Sequence, residues 1–192
     1  MEVLEVISRR RSIRRFKPTP VAKELIEKVL AAAVLAPSAK NRQPWRFVVL
    51  RGAAKDKLAR LMVEGADLAE ARGDKPASCR NSARIVAHAP ATILVFNPAH
   101  EHEGLFSDHV IYNAPDIQSI GGMVQTMLLA AEDLGLGSLW ICDILYAYAP
   151  IRDWLGRREE MVTAVSLGYA DEAPPARPRM SWREITEWRE KE

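Results

Sequence analysis

At 192 residues, with 48% hydrophobic and 27% charged side chains, the chain has the makeup of one ordinary globular domain. Its formal net charge of +2 gives no general attraction for nucleic acid, and its two cysteines are too few for a disulfide scaffold. The longest uncharged runs fall short of the roughly 18 residues that a spanning helix needs, so a soluble cytoplasmic protein with no membrane partner is expected.

The charge is unevenly spread. Arg9, Arg10, Arg11, Arg14, Arg15 and Lys17 sit together with no acid among them. From Ile85 to Ile151 there is no lysine or arginine, while Glu101, Glu103, Asp108, Asp116, Glu132, Asp133 and Asp143 all fall there. An anionic ligand would therefore meet the N-terminal segment or the arginines near the C-terminus.

In chain order, Val3, Leu4, Val6 and Ile7 predict a short amphipathic helix, followed by RRRSIRRF at residues 9–16. That segment reads either as a phosphate clamp, since guanidinium forks match phosphate oxygens and Ser12 adds a hydroxyl, or as a solvated basic face. Residues 1–20 show no secretory signal pattern. Thr19-Pro20 suits a helix start, and Leu25, Ile26, Val29, Leu30, Ala33 and Val34 recur at helical spacing. Pro37 stops that helix and opens a polar loop, APSAKNRQPWRF at 36–47, where Gln43 before Pro44 is expected to be extended. Such loops between rigid elements are favoured places for ligands.

A strand over about 45–50 follows, then helices over about 55–72 and 78–87 and a buried strand, ATILVF, at 91–96. Residues 97–115 show no periodicity and read as a lid or binding loop. They hold His100, His102 and His109 among three acids, although the spacing matches no established metal motif. Asp116 after Pro115 is expected to cap a helix carrying Ile117, Ile120, Val124, Met127, Ala131 and Leu134, apolar enough for a core or a subunit interface. Strands at about 138–142 and 161–167 flank a helix at 146–155, and the proline-rich tail with Arg177 and Arg179 closes in a helix at 181–189. Four strands among helices predict one layered domain of α/β type over 1–192. There is no G-x-G-x-x-G, P-loop or local catalytic-triad signature, so the chemistry must come from a cofactor or from converging loops.

Four blocks in order, RRRSIRRF, APSAKNRQPWRF, AAEDLGLGSLWI and SLGYADE with a following arginine pair, resemble the FMN-dependent nitroreductase family. The resemblance implies an α+β fold: a three-layer sandwich with a central, mostly antiparallel sheet flanked by helices, in an intertwined homodimer with FMN at the interface. It implies FMN contacts from Arg10, Arg11, Ser12 and Arg14, with Arg10 and Ser12 the firmest. Pro37, Ser38, Ala39 and Asn41 match the loop that the partner subunit lays against the flavin, supported by Gln43-Pro44-Trp45. Leu139, Trp140, Ile141 and Cys142 match the strand beside the isoalloxazine ring, where backbone N–H groups reach toward N5. Arg177 and Arg179 match the basic pair at the phosphate. Some family members carry a glutamate-glycine pair where Cys142-Asp143 stands here. Asn81, Phe106 and Tyr112 lie near regions that touch flavin or substrate in the family.

The implied activity is an NAD(P)H oxidoreductase that takes hydride from NADH or NADPH onto FMN and passes electrons to a nitroaromatic, quinone or similar acceptor in a ping-pong cycle. No protein residue is assigned as catalytic and no metal is expected. The same resemblance leaves open oxygen-dependent flavin fragmentation, reductive dehalogenation and flavin binding without turnover. A nucleic-acid role for the basic arm is disfavoured, because RRRSIRR has no interleaved aromatics.

Overall fold

The most apolar run of the chain becomes the middle of a sheet. In the computed structural model, which describes residues 2–98 and 110–190, Ala91–Asn97 forms strand β2, buried along its whole length. It pairs on one side with β1 (Arg46–Leu50) and on the other with β4 (Glu160–Gly168), and β4 also pairs with β3 (Gly137–Ile141). The order is β1-β2-β4-β3 and every pair is antiparallel.

Side chains alternate across a strand, so β2 feeds two cores. Leu94 and Phe96 pack with Leu58 and Met62 of α3 (Gly52–Ala71) and Ala83 and Val86 of α4 (Ala77–His88). Ala91, Ile93 and Val95 pack with Ile26 and Val29 of α2 (Lys23–Ala33) and Met123, Val124 and Met127 of α5 (Val110–Asp133). Both faces of β2 are covered, so its sequence reads as a continuous apolar run. The result is the expected α+β sandwich of three layers. Two shorter helices complete it: α1 (Val3–Arg9) and α6 (Tyr148–Leu155), the latter preceded by a 3-10 turn at Asp143–Ala147.

The structure departs from the sequence reading in three places. The helix expected to begin at Asp116 begins at Val110, with Pro115 inside it. Proline removes one rung of the helix ladder. Tertiary contacts nevertheless hold the chain beyond it, with Asp116 ion-paired to Arg42 and Ile120 buried. The loop read over 97–115 is thus shorter: Asn97 ends β2, and residues 110–115 are helical. His100, His102, His109, the three acids among them and Phe106 lie outside the described residues, as does the side chain of Tyr112. Thirdly, the expected helix at 181–189 is only a turn around residues 182–185. Short helices need an apolar face buried against something. Here Trp182, Ile185 and Trp188 are all exposed in the single chain.

Glycine decides the path of the N-terminal segment. Gly137 and Gly168 are paired across β3 and β4. A Cβ on Gly137 would lie 2.8 Å from Ile13 Cγ1, and one on Gly168 would lie 2.5 Å from Pro90 Cδ and 2.8 Å from Phe16 Cδ1. The two bare backbones therefore form a seat across which residues 12–17 run. The Ile13 N–H donates to the Ser138 carbonyl and the Lys17 N–H to the Tyr169 carbonyl, each at 2.9 Å. The Glu172 carboxylate accepts the backbone N–H groups of Arg14 and Arg15.

Candidate functional site

Seating residues 12–17 on the sheet fixes where the arginines go. A pocket of about 340 Å³ is lined by Arg10, Arg11, Ser12 and Arg14 from the N-terminal segment and by Arg177 and Arg179 from the tail, with Pro174 and Pro175 forming part of its wall. Two basic segments more than 160 residues apart in sequence thus share one cavity.

The guanidiniums in this pocket are not equivalent. Arg11 Nη1 donates to the carbonyls of Ser8, Arg9 and Arg10 at 2.7, 3.0 and 2.9 Å, which caps the end of α1. Arg179 Nη1 bonds the Arg177 and Pro178 carbonyls, and Arg14 Nη1 bonds the Ser12 carbonyl. Among the described residues, the side chains of Arg10, Ser12 and Arg177 take no hydrogen bond. Two unengaged guanidiniums and a hydroxyl facing one cavity are a donor set with no acceptor, the complement of a phosphate dianion.

Arg14 also lines a neighbouring pocket of about 360 Å³, where Leu139, Trp140, Ile141 and Cys142 meet Ser78, Asn81, Ser82 and Ile85 of α4. The side chains of Leu139 and Ile141 are buried in the core, so this strand presents its backbone to the pocket. Because β3 is the edge of the sheet, its outer backbone groups beyond Ser138 have no strand beside them. Trp140 points to the other face, its Nε1 donating to Thr163 Oγ1 at 2.8 Å. Asn81, which the sequence ties only weakly to the site, stands here. Arg84 lines a third, adjoining cavity with Arg14, Asn81 and His88. Sequence reading missed Ser78, Ser82 and Arg84; Ser78 and Arg84 stand three residues either side of Asn81 and Ser82 four beyond Ser78, and that helical spacing is their only signal.

The residues Pro37, Ser38, Ala39 and Asn41 line none of these three pockets. They sit on the opposite side of the sheet layer, against α5, where the Ala39 N–H donates to Ser119 Oγ at 3.1 Å. The loop has an unusual backbone: Lys40, Asn41 and Gln43 have φ of 52°, 52° and 50°. Gln43 therefore leaves helical space for the left-handed region and not for the extended one. Its N–H is drawn to Ser38 Oγ at 3.0 Å, while the Trp45 N–H closes on the Gln43 carbonyl at 2.8 Å. Non-glycine residues in such geometry cost about 1–3 kcal/mol each and persist where the surroundings over-determine them.

The two thiols differ sharply. Cys142 is exposed and Cys79 buried. Burial, and then the nearby Asp143 carboxylate, push the Cys79 thiol from 9.0 up to about 11. Ser82 Oγ donates to Asp143 Oδ2 at 3.1 Å, while Asp143 Oδ1 is buried with no hydrogen-bond partner among the described residues. A disulfide-exchange reagent at pH 8 should therefore modify one thiol per FMN-free chain quickly and the second only on unfolding. The raised value also sets a sign. The folded state keeps the full benefit of a neutral thiol below pH 9 and loses it as pH rises through about 11. Denaturation midpoints should accordingly fall over that alkaline range, and less so in Cys79→Ala. Among the described residues no group of histidine, cysteine or acid side chains could hold a metal ion, and no helix is long and apolar enough to cross a membrane.

Comparison with known proteins bears on this arrangement. A protein of Methanothermobacter thermautotrophicus, provisionally named NADH dehydrogenase/NAD(P)H nitroreductase, is 30% identical over 184 residues, 92% of this chain and 82% of the relative. A crystal structure of a provisionally assigned nitroreductase in complex with FMN, from Desulfovibrio desulfuricans, superposes with a TM-score of 0.77 at 28% identity, covering 97% of this chain and 95% of the other. The structure of a BluB-like flavoprotein from Clostridium difficile superposes with a TM-score of 0.78 at 25% identity, covering 99% of this chain and all of the other's 100%. The family model "Nitroreductase family" matches residues 7–169, from the first helix to the end of the last strand, and the chain belongs to that family.

Proposed function

We propose that this chain is an FMN-dependent oxidoreductase that passes hydride from NADH or NADPH through flavin N5 to a nitroaromatic, quinone or similar small acceptor by a ping-pong cycle. The observation that carries the reading is the convergence of Arg10, Ser12 and Arg14 with Arg177 and Arg179 on one cavity that opens, past Arg14, to the edge of β3. The names of the relatives support the same cofactor and donors.

FMN, when bound, supplies the two-electron chemistry. In this reading the chain holds and tunes it. Arg10, Ser12 and Arg177 bind the phosphate, with Arg11 and Arg179 adding charge from behind their backbone contacts. Arg14, which lines both pockets, would place a cation near the ring, where it would favour the negative charge of the reduced state. The backbone from Leu139 to Cys142 would meet the flavin ring and offer N–H donors toward N5, kept in line by the buried side chains of Leu139 and Ile141. No side chain of the site is assigned as a proton donor.

The partner is a second copy of the chain. Val3, Leu4 and Ile7 on α1 and Met180, Trp182, Ile185 and Trp188 in the tail are exposed in the single chain, a larger set of apolar side chains than a monomer leaves in water. A homodimer would cover them and would bring Pro37, Ser38, Ala39 and Asn41 of one subunit to the flavin of the other. Two free cysteines, one of them exposed, suit a cytoplasmic location.

Anaerobic absorbance tests the proposal. Flavin bands in the purified protein should bleach with NADH or NADPH and return with a nitroaromatic or quinone. Flavin that only a chemical reductant bleaches would move the chain to the same fold with different flavin chemistry, oxygen-dependent flavin fragmentation or reductive dehalogenation. Failure to take up FMN at all would remove the reading.

A further inference from the structure

The strained loop at residues 38–43 is fastened to the chain from outside. Arg42 donates to Asp116 Oδ1 through both Nε, at 2.9 Å, and Nη2. Asp116 is 2% exposed, on the part of α5 just beyond Pro115. One turn on, Ser119 is also buried. Its Oγ donates to the Pro115 carbonyl at 2.6 Å and accepts the Ala39 N–H at 3.1 Å. The two fastenings lie three residues apart on α5 and flank the positive-φ pair Lys40 and Asn41. The Ser119 hydroxyl, back-bonded to the carbonyl one turn before it, keeps lone pairs for the loop.

We infer that Arg42, Asp116 and Ser119 are positioning residues for cofactor binding. They hold the 38–41 segment in the conformation in which one subunit presents it to the flavin site of the other. This inference rests on the proposed function, and it adds to it a set of residues that touch no cofactor. Relaxed, Lys40 and Asn41 would return to ordinary backbone space and carry the loop away from the position in which Ser38 and Asn41 are displayed. The fastening is a charge-assisted pair whose carboxylate side is buried and whose guanidinium side is partly exposed.

The double variant Arg42→Met/Asp116→Asn removes the ion pair from both sides. It should release FMN about tenfold or more readily, because a preorganised contact becomes a disordered one, while the FMN-free protein keeps its far-ultraviolet circular dichroism and dimeric state. Ser119→Ala gives a second reading: hydrogen exchange at the Ala39 amide should speed up, and FMN affinity should fall with it. Affinity within twofold of the parent in both variants, with Ala39 exchange accelerated, would overturn the positioning role. So would equal thermal destabilisation of FMN-free and FMN-loaded protein, the mark of a merely structural ion pair. A parent protein that binds no FMN is a different outcome: it would reject the proposed function itself.

Discussion

Arg10→Ala should lower FMN affinity by about 10- to 150-fold, the equivalent of the roughly 1.5–3 kcal/mol of a hydrogen bond to a charged group. The guanidinium lines the pocket without a hydrogen bond to any described residue, so its removal takes away binding and no internal support. Arg177→Ala should behave alike for the same reason. Arg11→Ala is the informative contrast. That guanidinium caps three carbonyls at the end of α1, so its loss should show in stability at least as much as in affinity. Fluorescence titration of FMN into apoprotein at two salt concentrations would measure both effects, since the phosphate contribution is screened by ions. An Arg10→Ala protein that holds FMN as tightly as the parent would show that the pocket is not the phosphate site.

The largest expected loss of stability comes from a glycine far from those arginines. A Cβ at Gly65, in the middle of α3, would stand 2.6 Å from Ala147 Cα and 2.6 Å from the Tyr146 carbonyl oxygen. The obstacle is backbone, which cannot swing aside as a side-chain tip can. Gly65→Ala should therefore destabilise the fold by about 3 kcal/mol, the upper end of overpacking, despite the roughly 1 kcal/mol that alanine gains over glycine in a helix. Equilibrium urea unfolding would report it as a lower midpoint at unchanged slope. The clash falls on the turn that begins directly after Cys142, so FMN affinity should drop in the same variant. A stable Gly65→Ala protein would mean that α3 and the Asp143–Ala147 turn do not meet as described.

How much of this could be read in advance depended on whether the cause was local. The strands were legible, because a run such as Ala91–Phe96 buried on both faces declares itself by composition. The α2 and α3 helices were legible from their periodicity. Pro115 misled, since a proline ordinarily begins or ends a helix and only the distant Arg42 shows why it does neither here. Residues 181–189 misled in the opposite sense: helical spacing of Trp182, Ile185 and Trp188 was present, and the surface to bury them was not in the same chain. The pocket itself could not be derived from spacing. Nothing in the sequence brings residue 10 near residue 177 except the likeness of the four blocks to a family. The seat that enables it depends on Gly137 and Gly168, where a Cβ would meet Ile13, Phe16 and Pro90, a contact that no local pattern announces.

That seat has a consequence for the order in which the protein is made. The arginines at 10–14 precede β3 and β4, whose backbone they lie on, and Arg177 and Arg179, which share the pocket, follow both strands. During synthesis the N-terminal arginines therefore wait for the sheet, and the pocket closes only after residue 179 has been added; a chain cut short after β4 would have half a pocket.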